Sequence, residues 1–133
     1  MLKTPLRIRH VVSVNLPLRY PPGHEQVGFR PAIIVGYPNY LGIPRFSLVA
    51  IVPMSGFDQT KEFREWWVTR SPSLYPVFDA GVGGLETKSI ALLDQLTTVD
   101  VNRISKRYGR LTDIEYEPII KGIQTMIAIP ATK

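Results

Sequence analysis

The sequence predicts a small, mainly β protein that ends in one helix, with its short strands forming a partly open barrel. Two observations carry this prediction. Short apolar runs rich in β-branched residues, such as Ala32 to Val35, recur between breaks made by proline and glycine. Near the end of the chain, isoleucines recur at three- and four-residue spacing, as on one face of a helix. With 133 residues the chain can bury a core, and we expect one domain spanning 1–133.

The strands are predicted from alternation and from apolar runs. The first is His10 to Leu16, where Val12, Val14 and Leu16 fall on one face before prolines end the strand. The next two read as core strands covered on both sides, and three shorter candidates follow them. These five are Ala32 to Val35, Phe46 to Val52, Pro76 to Asp79, Ser89 to Leu93 and Lys106 to Leu111.

The terminal helix is predicted with an open question about its start. Thr112 and Glu115 have the spacing of a capping box, which predicts a helix beginning there. Pro118 lies too deep for a first-turn proline, so either the helix begins near Pro118 or its first turn is distorted. Its apolar stripe consists of Ile119, Ile120, Ile123, Met126 and Ile127.

Composition narrows the classes of function. The chain carries a net charge of +5 and has a pI near 9.7, which favours an acidic partner such as nucleic acid. It has no cysteine and two histidines without metal-ligand spacing, so neither thiolate catalysis nor a zinc site is predicted. No apolar run is long enough to span a membrane, and Met1 to His10 does not resemble a secretory signal. We therefore expect a cytoplasmic protein that does not interact with membranes.

The loop before the second strand holds three chemically capable side chains, His24, Glu25 and Arg30. Imidazole and carboxylate can transfer protons, and a guanidinium can hold a phosphate. An alternative interpretation is a hairpin loop whose glutamate and arginine form a surface ion pair. A second group of cations, Arg103, Lys106, Arg107 and Arg110, indicates phosphate contact, or else a solvated turn.

Four segments occur in an order that resembles one known family. They are the loop GHEQVGFRPAIIVG, the segment from Val52 to Ser55, the run SIALLDQLTTVD and the strand KRYGRLTD. In this order they resemble the MazF/PemK toxins of bacterial toxin–antitoxin systems, over about Val11 to Ile127. The resemblance implies the SH3-like barrel of the MazF, PemK and CcdB toxins. It also implies a homodimer that cuts single-stranded RNA without a cofactor and is neutralised by a cognate antitoxin.

The resemblance also implies catalytic roles for four residues. Arg30 matches the arginine that precedes proline in the family, and its guanidinium is expected to stabilise charge on the phosphate. Glu25 matches the acidic residue of the loop and is a candidate base or a partner that orients Arg30. Ser55 stands where many members have threonine, and its hydroxyl could bond a phosphate oxygen; otherwise it is a turn serine. His24 is a candidate proton carrier or a solvent-facing loop residue.

RNA binding is assigned to two groups. Asp94 and Gln95 match an Asp-Gln pair of the family, with Asp94 expected to contact a base or take part in catalysis. Arg103, Lys106 and Arg107 are expected to contact phosphates.

The chain departs from the family pattern in ways that keep other functions open. Leu92 and Thr97 stand where some or many members have arginine, which favours a barrel that binds RNA without cutting it. A non-cleaving inhibitor of gyrase is a further alternative. The segment Phe57 to Tyr75 is longer than in most members and contains aromatic and cationic residues. Such residues could bind single-stranded RNA or dock the antitoxin, or one tryptophan could simply close the bottom of the barrel. If that segment is extended, one of Trp66 and Trp67 is expected to be buried and the other exposed.

Overall fold

The computed structural model describes residues 5–18, 20–21, 23–25, 27–56 and 66–127. In this part of the chain, short strands alternate with turns, and the last element is the longest helix. The strands are β1 (His10–Leu16), β2 (Gly28–Gly36), β3 (Leu48–Gly56), β4 (Val77–Phe78), β5 (Ser89–Ala91), β6 (Thr97–Asp100) and β7 (Ile104–Arg110). The helices are α1 (Trp66–Arg70) and α2 (Asp113–Ile127). This is the mainly β architecture with a C-terminal helix that the sequence predicts.

The strands form one antiparallel sheet in the order β4-β5-β3-β2-β1-β7, which curls into a half-barrel. The central strand is β3, because it pairs with β2 along one edge and with two short strands along the other. β6 pairs with the first half of β3, and β5 pairs with the residues from Met54 to Gly56. The end of β3 is therefore held by β5 rather than by β2.

Both faces of the central strands are buried. On one face, Val12, Val14 and Leu16 pack with Ala32 and Ile34 of β2, as the alternation of β1 predicts. The opposite face carries a second cluster to which α2 contributes. That cluster includes Val11, Ile33, Val52, Leu93 and Ile119, all buried. Hydrophobic burial on both faces makes β1 to β3 a rigid base for the loops that leave their ends.

The helix α2 resolves the question about its start. It begins at Asp113, and the capping box forms in both directions. The Thr112 hydroxyl accepts from the Glu115 N–H at 3.1 Å, and the Glu115 carboxylate accepts from the Thr112 N–H at 2.8 Å. Pro118 lies inside the helix, so the prediction of a start near Pro118 is wrong. Ile119 is fully buried, Ile120 and Ile123 pack partly buried against the core, and Met126 and Ile127 are exposed, so the stripe leaves the core in the last turn of α2.

Two glycines allow a turn to lie directly against β7. A Cβ atom at Gly109 would come within 2.6 Å of the Gly83 carbonyl oxygen, and one at Gly84 would overlap the Tyr108 carbonyl. Gly84 also has a φ of +82°, a conformation that glycine adopts most easily. The close approach of backbone to backbone explains why neither position has a side chain.

Candidate functional site

Arg30 and Ser55 are related by the register of β2 and β3. The last pair of this ladder is Ala32 with Pro53. Arg30 lies two positions before Ala32 on β2, and Ser55 lies two positions after Pro53 on β3. Side chains alternate along strands, so both fall on the face of Ala32 and Pro53. Arg30 is held there by its pairing with Val14 on β1. The alternative of Ser55 as a turn serine does not hold, since Ser55 lies within β3.

The Arg30 side chain is exposed and is oriented by the loop before it. Its Nε donates to the backbone carbonyl of Val27 at 3.3 Å, which leaves the terminal nitrogens of the guanidinium for a ligand. In the described part of the chain, Arg30 makes no ion pair with Glu25, so the surface-pair alternative does not hold. The Glu25 carboxylate instead lies back against Gly23, where a Cβ atom would overlap it.

Ser55 opens into a cleft of about 390 Å³, which we call the Ser55 cleft. It brings together residues predicted from three separate segments of the sequence. Its lining consists of His24, Ser55, Leu92, Asp94 and Gln95, with the aromatic rings of Trp67 and Tyr75. A hydroxyl, an imidazole and a carboxylate therefore face the same space, which is the composition expected of a polar reaction site.

Glu25 lines a neighbouring and smaller cleft of about 210 Å³, which we call the Glu25 cleft. The two clefts have a common wall, because Asp94 and Gln95 line both of them. These residues belong to the single 3-10 turn Leu93–Gln95 that follows β5. The Gln95 side-chain amide donates to the backbone carbonyl of His24 at 3.2 Å, which ties the loop to this turn. The sequence prediction of Ser89 to Leu93 as a strand is corrected here, since β5 ends at Ala91.

Tyr75 and Asp94 form a hydrogen-bonded pair in the Ser55 cleft, which the sequence did not predict. The Tyr75 hydroxyl donates to Asp94 Oδ2 at 2.7 Å. This bond, with burial and the carboxylate charge, raises the pKa of Tyr75 to about 12, so the phenol stays protonated near neutral pH. Trp67 packs edge-to-face on the same ring, with centroids 4.6 Å apart. The aromatic content of this segment was the sequence signal, but its position at the cleft depends on tertiary packing.

The two tryptophans differ in exposure, as expected, but the reason given from the sequence is wrong. Trp66 is 59% exposed, while Trp67 is partly buried against the cluster of Val68, Ile90 and Leu92. The pair begins α1, so helical rotation, not strand alternation, separates the two rings. The first part of the predicted insertion, residues 57–65, lies outside the described residues.

The three cations predicted to bind phosphate lie outside the two clefts. Arg103 is in the 3-10 turn Val101–Arg103 before β7, where its Nη1 donates to the Asn15 carbonyl of β1 at 3.4 Å. Lys106 and Arg107 follow on β7, with Lys106 Nζ 5.0 Å from the centroid of the Tyr108 ring. Because adjacent strand residues point to opposite faces, Lys106 and Arg107 do not form one row of cations.

His10 pairs with Arg110 at the end of β7 and is buried. Its Nδ1 accepts from the Arg7 backbone N–H at 2.8 Å, which requires that nitrogen to be unprotonated. Burial, and then the nearby charges of arginines headed by Arg107, lower the pKa of His10 from its usual value of 6.5. No sequence pattern pointed to this titrating role.

A larger groove of about 680 Å³ lies between α2 and the turn before Tyr75, and we call it the α2 groove. Pro72, Leu74, Gly122 and Met126 are among its lining residues, and it holds none of the predicted site residues. Among the described residues, no three acidic, histidine or cysteine side chains are grouped as metal ligands. The helices in the described ranges include none with the length and hydropathy of a membrane span.

Comparison with known families decides what kind of protein this is. The family model described as PemK-like, MazF-like toxin of type II toxin–antitoxin systems matches residues 8–127. The chain belongs to this toxin family. The match covers β1 to the end of α2, and thus every predicted site residue. None of the curated proteins compared with the chain is significantly similar to it in sequence.

Solved structures show the same fold at low sequence identity. The MazF of Deinococcus radiodurans is 17% identical, with a TM-score of 0.66 over 92% of this chain and 96% of that one. The Mycobacterium tuberculosis toxin MazF-mt6 is 16% identical, with a TM-score of 0.63 over 92% and 99%. A mycobacterial endoribonuclease in complex with its cognate antitoxin is also 16% identical, with a TM-score of 0.60 over 97% and 98%. The toxin fold is therefore shared nearly end to end.

Proposed function

We propose that this toxin is a sequence-selective endoribonuclease that cuts single-stranded RNA without a metal ion. The observation that carries the proposal is the common face of Arg30 and Ser55, just beyond the β2–β3 ladder and next to a cleft lined by His24. Family membership and the mycobacterial endoribonuclease of the same fold support it.

The proposed reaction needs three groups around one phosphate. The ribose 2′-oxygen attacks phosphorus as its proton moves to a base, and the bond from phosphorus to the 5′-oxygen breaks. The 5′-oxygen takes up a proton, and the other fragment ends in a 2′,3′-cyclic phosphate. Arg30 stabilises the charge that develops on the phosphorane, because its free guanidinium nitrogens match two phosphate oxygens. We assign Arg30 charge stabilisation and no proton transfer.

Ser55, His24 and Glu25 supply the remaining roles. We assign to the Ser55 hydroxyl a hydrogen bond to a phosphate oxygen, because Ser55 lines the cleft on the part of β3 that pairs with β5. His24 lines that cleft and is assigned proton transfer, because imidazole can both accept and donate a proton near neutral pH. Glu25 faces the adjoining cleft and is assigned as the second proton carrier.

We assign contacts with the RNA backbone to cations outside the clefts. Arg103, Lys106 and Arg107 can each contact a phosphate, and contacts of this kind make binding strongly dependent on salt. Arg103 donates to Asn15, next to the Val14–Arg30 pair, so it is the cation assigned to the phosphates nearest the cut.

The proposed partners are a cognate antitoxin and a second copy of the chain. The support is the family, which is defined by its toxin–antitoxin pairing, together with the antitoxin complex of a protein with the same fold. We expect a homodimer at micromolar concentration in sedimentation velocity. Loss of cleavage on adding the antitoxin at equimolar concentration tests the other partner.

One observation favours a second candidate, a toxin that binds RNA without cutting it. Leu92 is 4% exposed and lines the Ser55 cleft, so the cleft has an apolar surface where some family members have a cation. Under this alternative the wild-type protein binds RNA but forms no cut products, and the Arg30→Ala substitution changes only the affinity for RNA.

The deciding experiment incubates the purified protein with single-stranded RNA in excess EDTA, beside an Arg30→Ala control. We expect cleavage by the wild type, sparing of duplex RNA, and products that end in 2′,3′-cyclic phosphate or 3′-phosphate. Attack by a 2′-hydroxyl requires in-line geometry, which a flexible single strand can reach. Activity that disappears in EDTA and returns with Mg²⁺ would overturn the metal-independent mechanism. Binding without any cleavage would favour the second candidate.

A further inference from the structure

The Ser55 cleft has aromatic and apolar walls against which a flat ring can pack. Trp67 and Tyr75 meet at 74° with their centroids 4.6 Å apart, and Leu92 adds an apolar surface beside them. A volume of about 390 Å³ is enough for one planar base while leaving the backbone outside. Bases of single-stranded nucleic acids stack on aromatic side chains in this kind of surface.

One polar group in this cleft is held in a defined orientation. The Tyr75 hydroxyl donates to Asp94 Oδ2 at 2.7 Å, so the carboxylate is positioned by an aromatic side chain that is itself packed against Trp67. Among the described residues, Asp94 takes this bond through Oδ2, so Oδ1 and the second lone pair of Oδ2 can accept from a ligand. The Asp94 carboxylate is thus a prepared acceptor at the edge of an aromatic cleft.

The four RNA bases differ in what they can donate to a carboxylate. Guanine has two adjacent N–H donors on its Watson–Crick edge, from the ring nitrogen and the amino group. Adenine and cytosine place a ring-nitrogen acceptor next to the amino donor, and uracil places one N–H between two carbonyl oxygens. A carboxylate accepts only, so it bonds both guanine donors and repels the acceptors of the other bases.

We propose that the Ser55 cleft is a guanine-binding subsite, in which Asp94 accepts from the base edge while the base packs against the Trp67–Tyr75 pair. The proposal rests on the proposed function for RNA as the ligand, and it makes Asp94 the residue that determines specificity next to the cut. Tyr75 acts through Asp94, as a positioning residue for the carboxylate.

The test measures binding to oligodeoxyribonucleotides, which lack the 2′-hydroxyl and so cannot be cut by the proposed reaction. The probes are deoxyuridine oligomers with one central guanine, hypoxanthine, adenine or cytosine, beside an all-uracil probe. We expect fluorescence anisotropy to show binding to the guanine probe about tenfold tighter than to any other, as for one bidentate contact to a base. Hypoxanthine lacks the amino donor, so it isolates the second hydrogen bond.

Variants separate recognition of the base edge from stacking. Asp94→Asn should reduce the guanine preference to about twofold, whereas Glu117→Gln removes a carboxylate from the exposed face of α2 and should keep it. Trp67→Ala should weaken binding of every probe about fivefold or more, whereas Phe46→Ala, an exposed aromatic on the β2–β3 loop, should not. Tyr75→Phe keeps the aromatic ring but removes the hydroxyl that positions Asp94, so it should lose part of the guanine preference. Circular dichroism confirms the fold of each variant.

The outcomes for the subsite and for the nuclease are separable. Equal affinity of the wild type for all probes, or a guanine preference that survives Asp94→Asn, overturns the subsite even if the EDTA assay shows cleavage. A guanine preference lost in Asp94→Asn supports the subsite even if no RNA is cut, and the proposed nuclease then fails alone. Absence of both binding and cleavage overturns both.

Discussion

Arg30 and Ser55 share one face of the sheet but are held by different neighbours. Arg30 pairs with Val14 of β1, whereas Ser55 pairs with Ile90 of β5. The ladder that joins β2 to β3 ends two residues earlier on each strand, at Ala32 and Pro53. The proposed chemistry, in which both side chains contact one phosphate, therefore depends on two independently supported strands.

Arg30→Ala should lower the rate of RNA cleavage about a hundredfold or more, because a preorganised donor to the developing oxyanion is lost. Arg30→Lys keeps the charge but not the planar fork, and we expect an intermediate rate. Arg45→Ala, which removes an exposed arginine on the β2–β3 loop, is the matched control and should cleave like the wild type. Full activity of a folded Arg30→Ala variant would show that this loop is not the catalytic one.

Ser55→Ala should lower the cleavage rate about 10- to 100-fold, the effect expected for one hydrogen bond to a charged oxygen. Ser55→Thr keeps the hydroxyl and should lose less. In the double variant with Arg30→Ala, the combined loss should be smaller than the product of the single losses, because both groups act on one phosphate. Strictly multiplicative losses in single-turnover kinetics would contradict a shared phosphate.

His10 should make the stability of the fold depend on pH. Its pKa is lower in the folded protein than the usual 6.5, so the unfolded chain binds more protons as the pH falls. The free energy of unfolding is then highest above about pH 7 and decreases through the pKa of the unfolded histidine. The free energy of unfolding stops decreasing once the pH is below the pKa of His10 in the folded protein.

Urea unfolding of His10→Asn measures this contribution, since asparagine does not titrate. We expect a shallower dependence of the unfolding free energy between about pH 7 and pH 5 than in the wild type. His24→Asn removes the other histidine and serves as the control. An equal change of slope in both variants would contradict the assignment to His10.

Gly109→Ala should destabilise the fold by about 1–3 kcal/mol, because the new methyl group would press on the Gly83 carbonyl. Gly56→Ala is the matched control at the end of another strand, where a Cβ atom meets nothing within 4 Å. Chemical denaturation of both variants tests the contact. If the two variants lose the same stability, the close approach of the turn to β7 is not what excludes a side chain.

The fold could be predicted where one strand or helix face carries its own pattern. Val12, Val14 and Leu16 occupy every second position of β1 and so share one face. The capping box, with its two reciprocal hydrogen bonds, follows from the spacing of Thr112 and Glu115 in the sequence. β6 was missed because it has only four residues and no clear alternation, and it forms because β3 offers a second edge. That edge exists only once the sheet has assembled.

In the candidate site, too, local sequence patterns predicted single residues but not the contacts between them. Motif order identified Arg30, Ser55 and Asp94, but it could not show that Ser55 and Asp94 line one cleft. The Tyr75–Asp94 bond was not predicted, since the two residues are far apart in sequence and meet through the packing of Trp67 and Leu92. Local patterns identify elements, whereas contacts between distant segments depend on the assembled core.

The 3-10 turn Leu93–Gln95 links the wall between the two clefts to α2. Leu93 is fully buried and reaches α2 at Gly122, where a Cβ atom would overlap its side chain. Gly122 also lines the α2 groove, while Asp94 and Gln95 of the same turn line both clefts. The packing of α2 on Leu93 therefore supports the turn that forms the common wall of the two clefts.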